Sequence, residues 1–173
     1  MNQLRKTVGL LLLSICSISL HAQNQGADAF DFWVGNWNLT WQGQGGKTEK
    51  GKNVISKTLD GKVIQENFEA LEGAQKGYKG MSISVYNPGA QTWHQTWMDN
   101  QGGNINFTGQ FEEGKKMFTT GPQDRNGQKV ISRMVFYDIK EDSFTWDWES
   151  STDDGATWKL NWRINYTRAK SGS

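Results

Sequence analysis

Trp158-Lys159-Leu160-Asn161-Trp162-Arg163-Ile164-Asn165-Tyr166 sets an apolar side chain against a polar one at every step. A period of two marks a strand with one buried face, because successive side chains point to opposite sides of a sheet. The same pattern runs near the other end of the chain. There Trp33, Trp37, Leu39 and Trp41 share one parity, and Asn36, Asn38 and Thr40 take the other. Tryptophans four apart also fit a helical stripe, but the β-branched and glycine-rich surroundings favour strands.

Between these two stretches the chain is a series of short runs separated by turn residues. Asp60-Gly61, Asn87-Pro88-Gly89, Asn100-Gln101-Gly102-Gly103, Glu113-Gly114, Asn126-Gly127, Lys140-Glu141-Asp142 and Asp154-Gly155 mark the breaks. Asn-Gly and Asp-Gly supply the positive φ that tight hairpins require. The runs between them predict strands over 37–42, 54–59, 62–71, 78–86, 91–98, 104–111, 115–120, 128–139, 143–150 and 157–168. Connections this short leave no room for the crossovers that parallel pairing needs. The expected fold is therefore all-β: an up-and-down antiparallel barrel of about ten strands, closed so that no long edge is exposed. One short helical turn is expected over 28–33.

The 173 residues carry 19 Lys+Arg against 18 Asp+Glu, a balance that offers no strongly basic face and argues against nucleic-acid binding. Nine Trp and twenty Gly beside two Pro suit a turn-rich β domain and argue against disorder. The N-terminus has the pattern of a secretory leader: Arg5 and Lys6, an apolar stretch over 8–20, and a small residue at Ala22. Residues 1–22 are accordingly assigned to a signal peptide and 23–173 to a single domain without a membrane span. Cleavage would remove the sole cysteine, Cys16, and leave neither disulfide nor thiolate metal site. Lipidation at Cys16 is disfavoured by Ile15, which stands where a small residue is expected.

Asp31-Phe32-Trp33-Val34-Gly35-Asn36-Trp37 resembles the opening of a calycin barrel. In lipocalins and fatty-acid-binding proteins a Gly-x-Trp begins the first strand, and its indole packs under an arginine from a late strand. The resemblance implies that role for Trp37, with Arg168 or Arg163 as its partner. Tyr86-Asn87-Pro88, the run from Trp93 to Gly102, and Trp148-Glu149-Ser150-Ser151 resemble a family of secreted bacterial domains of unknown function that is itself similar to calycins. That resemblance implies a secreted or periplasmic location and brings no reaction with it. The haem-binding nitrobindins are similar in the same opening motif, and their iron is held by a histidine near the C-terminus. No histidine occurs in residues 157–168, which argues against haem and leaves no cofactor expected.

Candidate site residues follow from parity. Trp93, Gln95 and Trp97 share a face, combining indole surface with an amide, and Trp148 is placed to join them from a later strand with Trp146. His94 then faces solvent, and with no further histidine in the mature chain a metal site is not expected. Glu66 shares a face with Ile64 and Phe68, so it is expected to be a buried carboxylate in need of a partner; Arg133 is the candidate. The residues from Ser151 to Trp158 match a Ser-x-Asp-x-Gly-x-Thr-Trp box, which as a single copy is expected to staple a hairpin. The functional expectation is a barrel that binds a small hydrophobic or aromatic ligand through Trp93, Gln95, Trp97, Trp148, Glu66 and Arg133. Two alternatives remain: an enzyme using Glu66 or Asp99 as general acid–base, and a module whose outward tryptophans bind glycan or protein.

Overall fold

The computed structural model describes residues 26–112 and 114–170; the leader assignment and Cys16 lie outside the described residues. Eleven antiparallel strands follow one another along the chain. They are β1 (Gly35–Gln42), β2 (Thr48–Thr58), β3 (Val63–Ala70), β4 (Lys79–Asn87), β5 (Thr92–Asp99) and β6 (Asn104–Glu112). Then come β7 (Lys115–Thr119), β8 (Gln123–Arg125), β9 (Gln128–Tyr137), β10 (Ser143–Ser151) and β11 (Lys159–Arg168). The pairing order is β10-β11-β1-β2-β3-β4-β5-β6-β7-β9, and β10 pairs with β9, so ten strands close a barrel. β8 is an extra strand hydrogen-bonded to β9.

The expected all-β barrel is thus what forms, with two departures. β8 was not expected: it is three polar residues long and becomes a strand only because the Asn126-Gly127 turn, with φ of 55° and 79°, folds it back on β9. β2 begins six residues before the expected run, at Thr48 rather than 54, and its inward positions explain why. Glu49, Gly51 and Asn53 face the interior, so an inside face exists without any apolar alternation. Gly51 is needed there, since a Cβ would meet the Trp41 ring at 2.9 Å.

One end of the barrel is sealed by the segment that precedes β1. A 3₁₀ turn over Asp31–Trp33 stands within the stretch where a short helix is expected. Phe30 and Trp33 are both buried against the barrel. The Phe30 ring stacks on Phe118 at 4.5 Å and meets Trp93 edge-on at 5.2 Å, and Trp33 meets Phe136 edge-on at 5.3 Å. Trp37 donates its indole N–H to the Trp33 carbonyl at 2.7 Å, tying this plug to the first strand.

Trp37 lies opposite Arg168 in the β1–β11 ladder, and the guanidinium carbon sits 4.2 Å from the indole centroid. Of the two arginines offered by the Gly-x-Trp resemblance, Arg168 is therefore the partner. It also donates to the carbonyls of Val34 (3.1 Å) and Glu141 (3.1 and 2.8 Å), so one side chain joins the plug, the first strand and the β9–β10 turn. Gly35, at φ +138°, makes room for it: a Cβ there would overlap the guanidinium. Gly35→Ala is expected to cost more than about 1 kcal/mol, from φ strain and from displacing Arg168 off Trp37. A thermal melt of the variant checks this, and an unchanged midpoint would refute it.

A cavity at the open end and the candidate site

At the end of the barrel opposite the plug, the interior is hollow. A cavity of about 170 Å³ opens there, comparable to the roughly 150 Å³ apolar cavity that accepts benzene. Its buried lining consists of Phe68, Phe107, Met134, Ile164 and Tyr166, and half-buried Tyr78, Trp97, Ile105, Trp146, Trp148 and Trp162 continue it toward solvent. The rings stand steeply to one another: Phe68 meets Trp162 at 84° and Trp97 at 62°, and Trp146 meets Trp162 at 89°. Gly80 permits this arrangement, because a Cβ on it would overlap the Trp97 indole. Loop contacts brace the same end. Glu49 accepts the Trp41 indole N–H at 2.8 Å and the Ala74 N–H at 3.2 Å, pinning the loop after β3.

Asp99 is the charged member of the described lining. Its Oδ1 accepts the N–H groups of Gln101 (2.9 Å) and Gly103 (2.8 Å) in the turn after β5. Its Oδ2 accepts the Tyr78 hydroxyl at 3.0 Å and the Trp97 indole N–H at 3.1 Å. Desolvation raises its pKa, but the hydrogen bonds from Gly103, Gln101, Trp97 and Tyr78 together outweigh it and hold the carboxyl below its usual range. Tyr78 is pushed the other way, first by burial and then by its bond to Asp99, and stays protonated.

Deeper in the barrel lies a polar layer. Glu66 is 5% exposed and accepts Asn53 Nδ2 at Oε1 and Ser82 Oγ at Oε2, both at 2.6 Å. Asn53 also donates to the Tyr166 hydroxyl at 3.2 Å, which links Glu66 to a residue of the cavity lining. Beside them Gln95 donates to Ser84 Oγ at 2.9 Å. Burial pushes the Glu66 carboxyl from 4.5 up to about 7, against the opposing pull of Ser82 and Asn53.

The structure divides the residues that parity grouped together. Trp97 and Trp148 line the cavity. Trp93 is buried at the plug end, packed edge-on to Phe30 and donating to the Gly26 carbonyl at 3.0 Å. Gln95 is inside the barrel between the two ends, and Glu66 lies behind the lining, joined to it through Asn53. His94 is exposed, as its parity implies.

Arg133 does not pair with Glu66. It lies on the outer face of β9, bonded to Glu149 at 2.7 Å and stacked on Trp158 at 3.8 Å. The reason is that β9 is apolar on both faces. Val130, Ser132, Met134 and Phe136 are buried inward, and Val135 is buried outward in a cluster with Met117 and the Arg163–Asp147 pair, whose two bonds measure 2.7 and 2.6 Å. Parity along β11 also breaks. A register shift lets Trp148 pair with Trp162 and Glu149 with Leu160, so Asn161 is the extra residue of a β-bulge. Trp162, Ile164 and Tyr166 therefore point inward, whereas Leu160 is 43% exposed and Trp158 sits outside under Arg133. The Ser151–Trp158 box is a hairpin staple as expected. Asp153 accepts the Thr157 hydroxyl (2.6 Å) and N–H (2.9 Å) and the Ser151 hydroxyl (2.7 Å), which hold it down at about 2, while Ser151 Oγ accepts the Gly155 N–H (2.8 Å).

Phe68, Tyr78, Ile105, Phe107, Met134, Trp162, Ile164 and Tyr166 were not among the expected site residues. Their common signal is an inward position on the half of each strand farthest from the plug, which becomes visible only once the register is known. Among the described residues no group of three or more His, Cys, Asp or Glu is placed to hold a metal ion, and no helix is long and apolar enough to cross a membrane.

These features define a class: a closed ten-stranded antiparallel barrel, plugged at one end and open to an aromatic cavity at the other, compatible with the calycin-like folds. No model of a known protein family matches the chain, and no curated protein matches it.

Glu66 gives a pH test of this interior. Folded, it keeps its proton up to about pH 7, whereas the unfolded chain releases it near 4.5, so native stability falls as pH rises through that window. The loss is on the order of 3 kcal/mol. Glu66→Gln is expected to match the wild type near pH 4.5 and to exceed it above pH 7, in urea midpoints taken at pH 4.5 and 8. Midpoints of the two proteins that keep a constant separation would reject the assignment.

Proposed function

We propose that this protein is a calycin-like binding barrel, acting outside the cytoplasm, that takes a small apolar or aromatic ligand into the open end. The observation that carries the reading is an aromatic cavity at one end of a barrel whose other end is packed with rings. The plug end is filled by Phe30, Trp33, Trp37 and Trp93, while the opposite end keeps about 170 Å³ among Phe68, Trp97, Trp148 and Trp162. A cavity of this kind, mostly apolar with a few directed polar groups, is the usual composition of a small-molecule site. Supporting the calycin assignment are the Gly35-Asn36-Trp37 opening and the Arg168 stack on Trp37. Supporting the location is the apolar leader over 8–20.

The cavity suits a ligand of one or two rings. Burying roughly 200–300 Å² of ligand surface at about 25 cal/mol per Å² gives a gross gain of about 5–8 kcal/mol, from which association costs are subtracted. Before those costs the gain corresponds to a Kd between about 0.2 mM and about 1 μM, so the binding expected without a reaction is weak, micromolar only at its tightest. In this reading Glu66 and Asp99 shape the pocket and do not transfer protons: Glu66 has both oxygens engaged behind the lining, and Asp99 is held ionised by four neutral donors.

The four tryptophans of the cavity report directly on occupancy. Titration with a neutral monocyclic aromatic such as tert-butylbenzene, followed by intrinsic fluorescence, is expected to saturate. Ile105→Trp, which fills the cavity, should weaken binding at least about tenfold, and Trp97→Ala should weaken it about threefold to tenfold through lost contact area. Circular dichroism confirms that each variant keeps its sheet. Saturable binding that survives Ile105→Trp unchanged would place the ligand elsewhere and overturn the reading.

A further inference from the structure

The cavity pairs many ring faces with one uncompensated negative charge. Phe68 stands at 61°, 62° and 84° to Tyr78, Trp97 and Trp162, and Tyr78 is tilted 46° from Trp97, so these lining rings surround the cavity in different planes and do not form a flat stack. Among the described residues no Lys, Arg or His lines the cavity, and none forms an ion pair with Asp99 within 4.0 Å.

The hydrogen bonds of Asp99 narrow the chemistry further. Two backbone N–H groups, one phenol and one indole use both of its oxygens, at 2.8–3.1 Å. All four donors are neutral, so they fix the carboxylate in place while leaving its charge intact. A ligand with N–H or O–H donors would have to compete for oxygens already taken. A ligand that carries positive charge without donors need not compete, because it requires field and polarizable surface alone. A neutral ligand, by contrast, strips water from the Asp99 side of the cavity and returns nothing to the carboxylate.

We propose that the cavity selects a quaternary ammonium group, its methyl-shielded cation boxed by Tyr78, Trp97, Phe68 and Trp162 and faced by Asp99. Cation–π attraction to several rings and a carboxylate in a partly desolvated site act on the same charge. At about 170 Å³ the cavity has room for one trimethylammonium group with a small substituent. This inference rests on the ligand-binding reading above and adds the charge and substitution of the ligand.

The test compares phenyltrimethylammonium with its neutral isostere tert-butylbenzene, by isothermal titration calorimetry on the wild-type protein. The cation is expected to bind at least about tenfold tighter, and raising NaCl from 20 to about 500 mM should weaken the cation while leaving the isostere nearly unchanged. Asp99→Asn, which keeps a side-chain carbonyl for the turn, should remove most of the preference. The wild-type isostere and salt comparisons stand even if that variant folds poorly. Equal or tighter binding of tert-butylbenzene, with Ile105→Trp abolishing both, would overturn the cation proposal and leave the binding barrel standing. Failure of both probes to bind would overturn both.

Discussion

The stack of Arg168 on Trp37 is the contact on which the architecture depends. It joins the last strand to the first, and its remaining donors hold the carbonyls of Val34 and Glu141, so barrel closure and the seating of the plug are one event. The geometry is demanding, because the guanidinium passes where a Cβ of residue 35 would sit. A positive φ and the lack of a side chain at Gly35 are therefore conditions of closure. With the plug seated, Phe30 and Trp33 fill that end with rings, and the aromatic cavity lies at the other.

The interior is layered along the barrel axis, and each layer has its own physics. Near the plug, packed rings exclude water and contribute cohesion. At mid-height Asn53 and Ser82 donate to Glu66, and Gln95 donates to Ser84 beside them, in a buried layer that stores a carboxyl with its proton retained to near neutrality. At the open end the rings separate, and Asp99 holds its charge beside them. Two carboxyl groups a few strands apart are thus driven in opposite directions, one by burial and one by donated hydrogen bonds.

Much of this was legible in the residues, and the rest was not for identifiable reasons. Turn dipeptides give their positions away because few residues accept positive φ, and Asn126-Gly127 and Asp154-Gly155 stand where turns were expected. Parity is informative where one face is polar, as in β1, whose Trp37, Leu39 and Trp41 are all buried. It fails in β9, which carries apolar residues on both faces, so parity points Arg133 inward although it stands outside with Glu149 and Trp158. It fails again at Asn161, where a single bulged residue inverts every assignment on its far side. The cavity was half legible: Trp97 and Trp148 could be picked by face, but the depth of each along the barrel depends on pairing register.

Closure has a consequence for how the chain reaches its folded state. The pairing of Trp37 with Arg168 spans nearly the whole described sequence, so the contact that completes the cylinder cannot form until the C-terminal strand is available. Hairpin by hairpin, the intermediate strands can zip locally, but they generate a sheet with two raw edges until the ends meet. A nascent or truncated chain lacking β11 would hold β1 and β10 open to foreign strands, which makes the last ten residues of the barrel its chief guard against aggregation.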